Sequence, residues 1–264
     1  SPYNFGKSLT KNHLLTYSLQ IIDRKIELTP NNKNKNPFKD PESGKEGSIN
    51  LGYNFVSKRS HVRNSFNPNQ GYGFRANIKK TTQQLFGNFD YTKVKLDFYL
   101  NKKVGPFSLF SRNRFEAISG LPPNQEKLGI FDIPNFYIMG SITPGREYMS
   151  PRGFNKPSRL GEMAYLGTLE LRAPILPINI LDFFKFISVG KPTVALISDF
   201  GDAWSEGVER EEFIIQSGAE FRISMSLATL PIFTFSYGWA QSIKDWRNEA
   251  IPESYFQLTL INPF

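Results

Sequence analysis

A strict alternation of apolar and small polar residues constrains the fold of this chain more than any other feature. Between residues 231 and 240, Phe233, Phe235, Tyr237 and Trp239 occupy every second position, with small or polar residues between them. Successive side chains of a β-strand point to opposite faces, whereas a helix cannot keep a period of two. The segment is therefore predicted to be a strand whose two faces meet different surroundings.

The same alternation recurs along the chain and predicts about ten strands. Most of them are long enough to cross a hydrocarbon layer at a tilt, which takes roughly 9–11 residues. No stretch of the sequence approaches the eighteen or so apolar residues that a membrane-spanning helix needs. The predicted strands lie near residues 13–27, 47–57, 71–86, 88–101, 104–118, 161–174, 186–201, 211–226, 230–243 and 254–264.

The polar faces of these strands separate a membrane barrel from a water-soluble β-protein. They carry small residues together with charges of both signs: Arg112, Arg114, Glu116, Glu170, Arg172, Glu220 and Arg222. Such a mixture suits an enclosed lumen, and apolar faces rich in Phe and Tyr suit lipid with interfacial girdles. A soluble sandwich or a lipocalin-like barrel is the alternative, but its polar face would favour Lys, Glu and Thr. The pattern thus favours an all-β fold, an antiparallel transmembrane β-barrel.

Composition removes several classes of function. The 264-residue chain has no cysteine, which excludes disulfide frameworks, thiol catalysis and cysteine-based metal sites. With only His13 and His61, a histidine-rich metal centre is excluded as well. The sequence also lacks the motifs of zinc proteases, serine hydrolases, P-loops and dinucleotide-binding folds. We therefore expect no enzymatic activity, no cofactor and no metal.

The chain is basic, with 32 Lys and Arg against 24 Asp and Glu and a net charge of +8. The basic residues are scattered over predicted inner faces and loops and form no single stripe, which argues against nucleic acid as a partner. Basic loops suit the phosphates of lipopolysaccharide, and a basic lumen suits anionic groups.

The longest predicted connection runs from residue 119 to 160. If the last strand ends in the periplasm at Phe264, the alternation of strand directions places this connection outside the cell. Loops longer than about fifteen residues in a compact fold are usually functional or disordered. Residues 119–160 are therefore expected to be a long extracellular loop.

Five motifs follow one another in an order that a known family shares. They are NFVSKRSHVRNSFNPNQGYGF (54–74), PNFYIMGSITPGREYMSPRGF (134–154), GTLELRAP (167–174), ISDFGDAW (197–204) and YFQLTLINPF (255–264). Together they resemble the strand and turn, the loop signature, the two following strands and the carboxyl-terminal β-signal of the BamA/TamA outer-membrane assembly superfamily, also called bacterial surface antigen barrels. Two departures are Pro151, where the family prefers a β-branched aliphatic residue, and Asn262-Pro263 in the last strand.

The resemblance covers residues 47–264 and implies a location in the outer membrane of a Gram-negative bacterium. The predicted strands are fewer than the sixteen usual in the family. Residues 1–264 are therefore expected to be the carboxyl-terminal portion of a sixteen-stranded barrel, with the amino-terminal strands and POTRA domains upstream. A reduced small barrel is the alternative. The loop at residues 119–160 is expected to fold into the lumen.

The resemblance also implies that the arginine of the loop signature meets acidic residues of the next two strands. The alternation agrees, because it places Glu170 and Asp199 on the inner faces of adjacent strands. A guanidinium can donate to two carboxylates together, and burial strengthens such bonds. The predicted site residues are Arg152, Gly153 and Phe154 in the loop and Glu170, Asp199 and Gly201 on the strands.

Other arrangements of these residues remain open at the level of the sequence. An arginine in a polar loop is ordinarily solvated. Glu170 and Asp199 also have other inner-face bases as candidate partners, among them Arg172 and Arg222. In every arrangement the expected role is structural and not catalytic.

The function that the resemblance implies is the assembly and insertion of outer-membrane proteins. In the family, the first and last strands meet in a weak seam, where free backbone groups pair with an incoming strand. In this chain the expected seam strand is the last one, residues 254–264, and its predicted seam residues are Phe256, Leu258, Leu260 and Phe264. Expected partners are outer-membrane lipids, lipopolysaccharide, client outer-membrane proteins and periplasmic or lipoprotein accessory subunits. The alternatives are a protein-secretion or solute-transport pore and a membrane anchor for an upstream domain.

Overall fold

A computed structural model of the chain describes residues 3–10, 12–24, 42–57, 70–130, 136–140, 149–154, 159–176, 180–183, 187–207, 213–227, 230–247 and 252–260. Strands dominate these ranges, which contain one short α-helix, α1 (Ile243–Arg247). In this part of the chain, no helix has the length and apolar character needed to span a membrane.

The strands follow one another closely in the sequence. They are β1 (Tyr3–Thr10), β2 (His13–Arg24), β3 (Gly44–Val56), β4 (Gly71–Thr81), β5 (Asp90–Val104), β6 (Phe107–Leu121), β7 (Leu128–Ile130), β8 (Phe136–Gly140), β9 (Arg159–Gly161), β10 (Met163–Pro174), β11 (Leu181–Phe183), β12 (Ile187–Val189), β13 (Thr193–Trp204), β14 (Ile214–Leu227), β15 (Leu230–Ser242) and β16 (Glu253–Leu260).

The long strands form one antiparallel sheet in which sequence neighbours are spatial neighbours. The order runs from β1 to β6 and continues through β10, β13, β14, β15 and β16. Hairpin connections of this kind need no crossover, so each strand pairs with the next one that is long enough. All ten strands predicted from the alternation are present, which confirms the all-β class.

The short strands come mainly from the connections. Two of them, β7 and β9, form a separate two-stranded sheet, and β11 pairs with β12, which extends the edge of β14. The remaining one, β8, lies beside the last strand and pairs with β16 in parallel. Residues 119–160 therefore contribute strands of their own, which the sequence pattern did not predict.

The observed strands differ from the prediction in several places, and two of the differences have local reasons. The first strand, β1, was missed because it is only eight residues long and places Lys7 among its apolar positions. The fourth strand ends at Thr81 and not near residue 86, because the side chain of Thr82 accepts a hydrogen bond from the backbone N of Gln84 and caps a short 3₁₀ turn. Short polar side chains at such positions compete with continued strand pairing.

One face of the sheet, called the outer face below, exposes large apolar side chains. Leu196 on β13 is 62% exposed and Trp239 on β15 is 43% exposed. Others on this face are Tyr17, Leu19, Ile21, Ile49, Leu51, Ile78, Leu96, Phe98, Leu169, Leu171, Val194, Phe221 and Tyr237. Soluble monomers rarely expose contiguous apolar patches of more than a few hundred Å². The outer face thus has the character of a surface that contacts hydrocarbon.

The opposite face, called the inner face below, buries polar and charged side chains. Those below one tenth exposure include Glu46, Ser48, Thr81, Arg112, Glu170, Arg172, Asp199, Gln216, Glu220 and Ser236. Buried charges persist in proteins when they are paired and hydrogen-bonded. Their concentration on this face agrees with the two-faced strands that the alternation predicts.

The long connection also supplies an apolar cluster near one end of the inner face. Leu128 and Ile130 of β7 join Met149 and Phe154 there. The strand residues in this cluster are Tyr91, Ile118, Ala164, Leu166, Ala203 and Ile214, and Phe89 joins them from the position just before β5. The cluster packs Leu128, Ile130, Met149 and Phe154 of the connection against the strands.

We predict that Leu196→Arg destabilises the protein in a lipid bilayer. An arginine on the lipid face of a barrel costs about 2–4 kcal/mol near the bilayer midplane and less near the interfaces. The measurement is the free energy of unfolding in urea from phospholipid vesicles. Leu196→Met, which conserves volume and apolarity, is the matched control and should be neutral. Equal stability of the arginine and methionine variants would contradict contact of this face with hydrocarbon.

Candidate functional site

The candidate site begins with a tight turn at the tip of the long connection. The carbonyl O of Pro151 accepts a hydrogen bond from the backbone N of Phe154, at 3.3 Å, which closes a four-residue turn. Gly153 has a φ of 71° at the third position of this turn. That position of a type II turn requires a positive φ, which glycine adopts without steric cost. The turn directs the Arg152 side chain away from the connection and onto the inner face.

Gly153 is also required by close packing against β15. A Cβ at this position would lie 2.2 Å from the carbonyl O of Ala240. No ordinary side chain fits at that distance, so the loop tip can rest directly on the strand backbone only with glycine here. Gly201 serves a similar purpose between strands, since a Cβ there would lie 2.3 Å from the carbonyl O of Tyr165 on β10.

Arg152 binds Asp199 of β13 through three donors. Its backbone N and Nε donate to Oδ2 of Asp199 at 2.9 and 2.8 Å, and Nη2 donates to Oδ1 at 2.7 Å. The guanidinium and the carboxylate thus form a bidentate pair, which is the strong geometry for these two groups. The backbone bond fixes the loop tip itself and not only its side chain.

The remaining guanidinium nitrogen of Arg152 serves two further carboxylates. Nη1 donates to Oε1 of Glu170 on β10 at 2.7 Å and to Oε2 of Glu220 on β14 at 3.2 Å. One loop residue therefore contacts three neighbouring strands, β10, β13 and β14. Removing this arginine would leave three buried carboxylates without a shared donor.

Two strand arginines complete the cluster. Arg172 donates through Nε to Oε2 of Glu170 at 2.6 Å, and Arg222 donates to both oxygens of Glu170 and to Glu220. The three acids and three arginines balance in charge. A balanced and fully hydrogen-bonded cluster can be buried at much lower cost than an unpaired charge.

Burial and neighbouring charges act in opposite directions on the loop arginine. Burial works against its charge, but the carboxylates of Asp199 and then Glu170 outweigh it and hold the pKa of the Arg152 guanidinium well above its ordinary value. Arg152 is therefore charged at neutral pH, as arginines in proteins are. The attachment of the loop tip to the strands therefore depends on the charged carboxylates of Asp199, Glu170 and Glu220.

The long connection has a second charged contact with β13. Nη1 of Arg159, on β9, donates to Oδ1 of Asp202 at 3.1 Å. Asp202 is 3% exposed and also accepts from the backbone N of Ala203. Two arginines of the connection thus bind two aspartates of the same strand segment.

The structure brings together most of the residues predicted from the sequence. Arg152 meets both Glu170 and Asp199, and Phe154 is buried in the apolar cluster. The open alternative, pairing of Glu170 with Arg172 and Arg222, also occurs, because its two oxygens serve all three bases. Sequence reasoning missed the roles of Glu220 and Asp202. The alternation places Glu220 on an inner face and Asp202 near the end of a strand. It does not show how close either residue lies to the loop tip.

The predicted seam residues lie partly within the described chain. Phe256 and Leu258 are half-buried, and the ring of Phe256 packs against Phe235 of β15 at an interplanar angle of 47°, with ring centroids 6.1 Å apart. The backbone of Leu260 pairs with Phe233 on one side and Gly140 on the other. Phe264 lies outside the described residues.

We predict that Asp199→Asn releases the loop tip without unfolding the sheet. Removing one partner of a buried ion pair typically costs about 3–5 kcal/mol, and here the lost charge holds three donors of Arg152. The hydrogen–deuterium exchange rate of the amides at 149–154 should rise more than tenfold, because a cost of about 1.4 kcal/mol already corresponds to a factor of ten. Exchange of the strand amides should stay slow.

Asp97→Asn is the matched control for this prediction. It breaks a bidentate pair with Arg112, at 2.9 and 2.5 Å, on the inner face of β5 and β6. The loop tip should keep its slow exchange in this variant. Slow exchange of the tip in Asp199→Asn, or equal release in both variants, would contradict the anchoring role.

Comparisons with known proteins agree with the fold and with the motifs. The Omp85 superfamily domain matches residues 2–258. The structure resembles BamA from Haemophilus ducreyi lacking POTRA domains 1–3, with a TM-score of 0.62 and 15% identity over 97% of this chain and 52% of that chain. It also resembles CdiB from Escherichia coli, with a TM-score of 0.57 and 12% identity over 97% of this chain and 44% of that one. No curated protein matches the sequence.

The chain spans about half the length of these two structures. At such identities the likeness shows the fold, which is that of bacterial outer-membrane β-barrels. The family match extends over nearly the whole sequence and confirms the resemblance seen in the motifs. The chain belongs to the Omp85 superfamily of bacterial outer-membrane proteins.

Proposed function

We propose that the chain acts in the assembly of outer-membrane proteins, with β16 as the strand that an incoming client strand pairs with. We further propose that its strands are part of a larger barrel whose other strands and periplasmic domains lie upstream. The inner-face cluster around Arg152 has a structural role in this proposal, since its charges are fully paired with one another. No catalytic step is assigned to any residue.

The observation that carries the proposal is the unequal pairing of the two edges of β16. Toward β15 it pairs antiparallel from Glu253 to Leu260. Toward β8 it pairs in parallel, from Phe256 to Leu260 only. Parallel pairing is slightly less stable per residue than antiparallel pairing. An incoming strand that pairs antiparallel over the full length of β16 would therefore displace β8 favourably.

The outer face next to this edge suits a client that enters from the bilayer. Tyr237 and Trp239 on β15 are exposed beside Phe256 and Leu258 on β16. A client strand at the edge would continue this apolar face on one side and the polar inner face on the other. Backbone hydrogen bonds would supply the binding energy, and side-chain alternation would select the register.

The proposed partners follow from the same surfaces. Outer-membrane lipids contact the outer face, and client outer-membrane proteins pair with β16. Lipopolysaccharide is the proposed partner of the basic connections. Periplasmic or lipoprotein subunits would bind upstream domains.

The experiment uses the absence of cysteine from the chain. Tyr137 of β8 and Gln257 of β16 are register partners, so Tyr137→Cys with Gln257→Cys allows a disulfide that locks β8 on the edge. The protein is reconstituted in phosphatidylethanolamine–phosphatidylglycerol vesicles, and folding of a urea-unfolded porin is followed by heat-modifiable gel migration. We expect the reduced variant to accelerate porin folding, and the oxidised variant to lose that acceleration.

Ser236→Cys with Gln257→Cys is the matched control. Ser236 of β15 is the register partner of Gln257 on the other side, so this disulfide leaves the β8 edge available. It should remain active when oxidised. Full activity of the oxidised Tyr137–Gln257 variant would contradict the proposed edge. Large bilayer conductance without any acceleration of porin folding would instead favour a pore.

A further inference from the structure

The last strand carries a buried tyrosine that the proposed function does not use. Tyr255 of β16 is 4% exposed and lies on the inner face. Its hydroxyl donates to Oε2 of Glu220 at 2.6 Å. Glu220 belongs to β14, so the bond passes over the whole of β15. Tyr255 is therefore more than a local packing residue of its own strand.

The register explains how one side chain spans two strands. Glu220 of β14 is opposite Gly238 of β15, and Gly238 is opposite Tyr255 of β16. A Cβ at Gly238 would lie 2.7 Å from the hydroxyl oxygen of Tyr255 and 2.8 Å from its Cζ atom. The ring thus lies directly over the glycine, and only a residue without a side chain leaves it room.

The oxygen that Tyr255 reaches is the one that also binds the loop tip. Oε2 of Glu220 accepts from Tyr255 at 2.6 Å and from Nη1 of Arg152 at 3.2 Å. Its other oxygen accepts from Arg222. Arg152 and Tyr255 thus stabilise the same buried carboxylate from opposite directions, one from the long connection and one from the last strand.

A shared acceptor makes the two contacts interdependent. When β16 separates from β15, the hydroxyl leaves and Glu220 loses a donor that a buried carboxylate cannot replace with bulk water. Such a change alters the position and the hydrogen bonding of the carboxylate that Arg152 contacts. A free-energy coupling between two sites is reciprocal, so release of Arg152 would in turn weaken the hold on Tyr255.

We propose that Tyr255 is a positioning residue that couples the pairing of the last strand to the seating of the loop tip, acting through Glu220. Its significance for client assembly rests on the proposed function, whereas the coupling itself does not. The coupling lets the loop tip respond when the edge strand moves, whereas β8 of the same connection pairs with β16 directly.

The test is hydrogen–deuterium exchange of the full protein in vesicles, without client protein, followed at residues 149–154 and along β16. Tyr255→Phe removes only the hydroxyl. Exchange at the loop tip should increase about tenfold, the scale of a hydrogen bond to a charged group. In an Arg152→Met background, the tip is already released, and Tyr255→Phe should add nothing there.

Tyr99→Phe is the matched control, because Tyr99 also lies over an inner-face glycine, Gly73, but away from the Arg152 cluster. It should leave exchange at the loop tip unchanged. Gly238→Ala is a second route to the same result, since its methyl group would lie 2.7 Å from the hydroxyl oxygen of Tyr255 and so displaces the ring while keeping the tyrosine. The same methyl group would lie 2.8 Å from the carbonyl O of Ala219, so exchange along β14 is measured alongside.

Faster exchange at the loop tip in both Tyr255→Phe and Gly238→Ala, with none in Tyr99→Phe, is the expected outcome. Exchange that rises along β16 alone, with the loop tip unchanged, overturns the coupling and leaves Tyr255 a packing residue. Equal release in Tyr99→Phe overturns it too. Porin folding is measured separately, so its failure would count against the proposed function and not against this coupling.

Discussion

The structure depends on one constraint: every long strand separates an apolar surface from a polar one. Leu196 and Asp199 illustrate it on β13, where the first is 62% exposed on the outer face and the second is buried on the inner face. If both faces met water, the inner charges would gain little from pairing, because exposed ion pairs contribute about 0–1 kcal/mol. Seclusion of the inner face is what makes a charged cluster an effective anchor.

The anchor in turn explains how a long connection can be held without a large core of its own. Its tip contributes one turn and one guanidinium, and the acceptors come from Glu170, Asp199 and Glu220 on three strands. A guanidinium fits such a site because its donors lie in a fixed plane, which a lysine does not offer. The apolar cluster around Phe154 adds buried apolar surface, but hydrophobic contacts are non-directional and do not orient the loop tip.

Much of this arrangement could be predicted from the sequence because a period of two is a local signal. It located ten strands and placed Glu170 and Asp199 on the inner face together. The signal says nothing about partners several strands apart, so the contacts of Glu220 with Arg152 and Tyr255 were out of its reach. It also missed β8, since five residues are too few to show an alternation and parallel pairing with β16 depends on where the connection returns.

The central claim is that the outer face contacts hydrocarbon. The fluorescence of a native tryptophan on this face can test it. Trp239 is exposed on this face, and its ring packs edge-on against that of Tyr237, with ring centroids 4.9 Å apart. With Trp204 and Trp246 replaced by phenylalanine, its fluorescence in vesicles should be quenched strongly by phospholipids with brominated acyl chains and weakly by aqueous acrylamide. Strong quenching by acrylamide, with none from the brominated chains, would contradict the account.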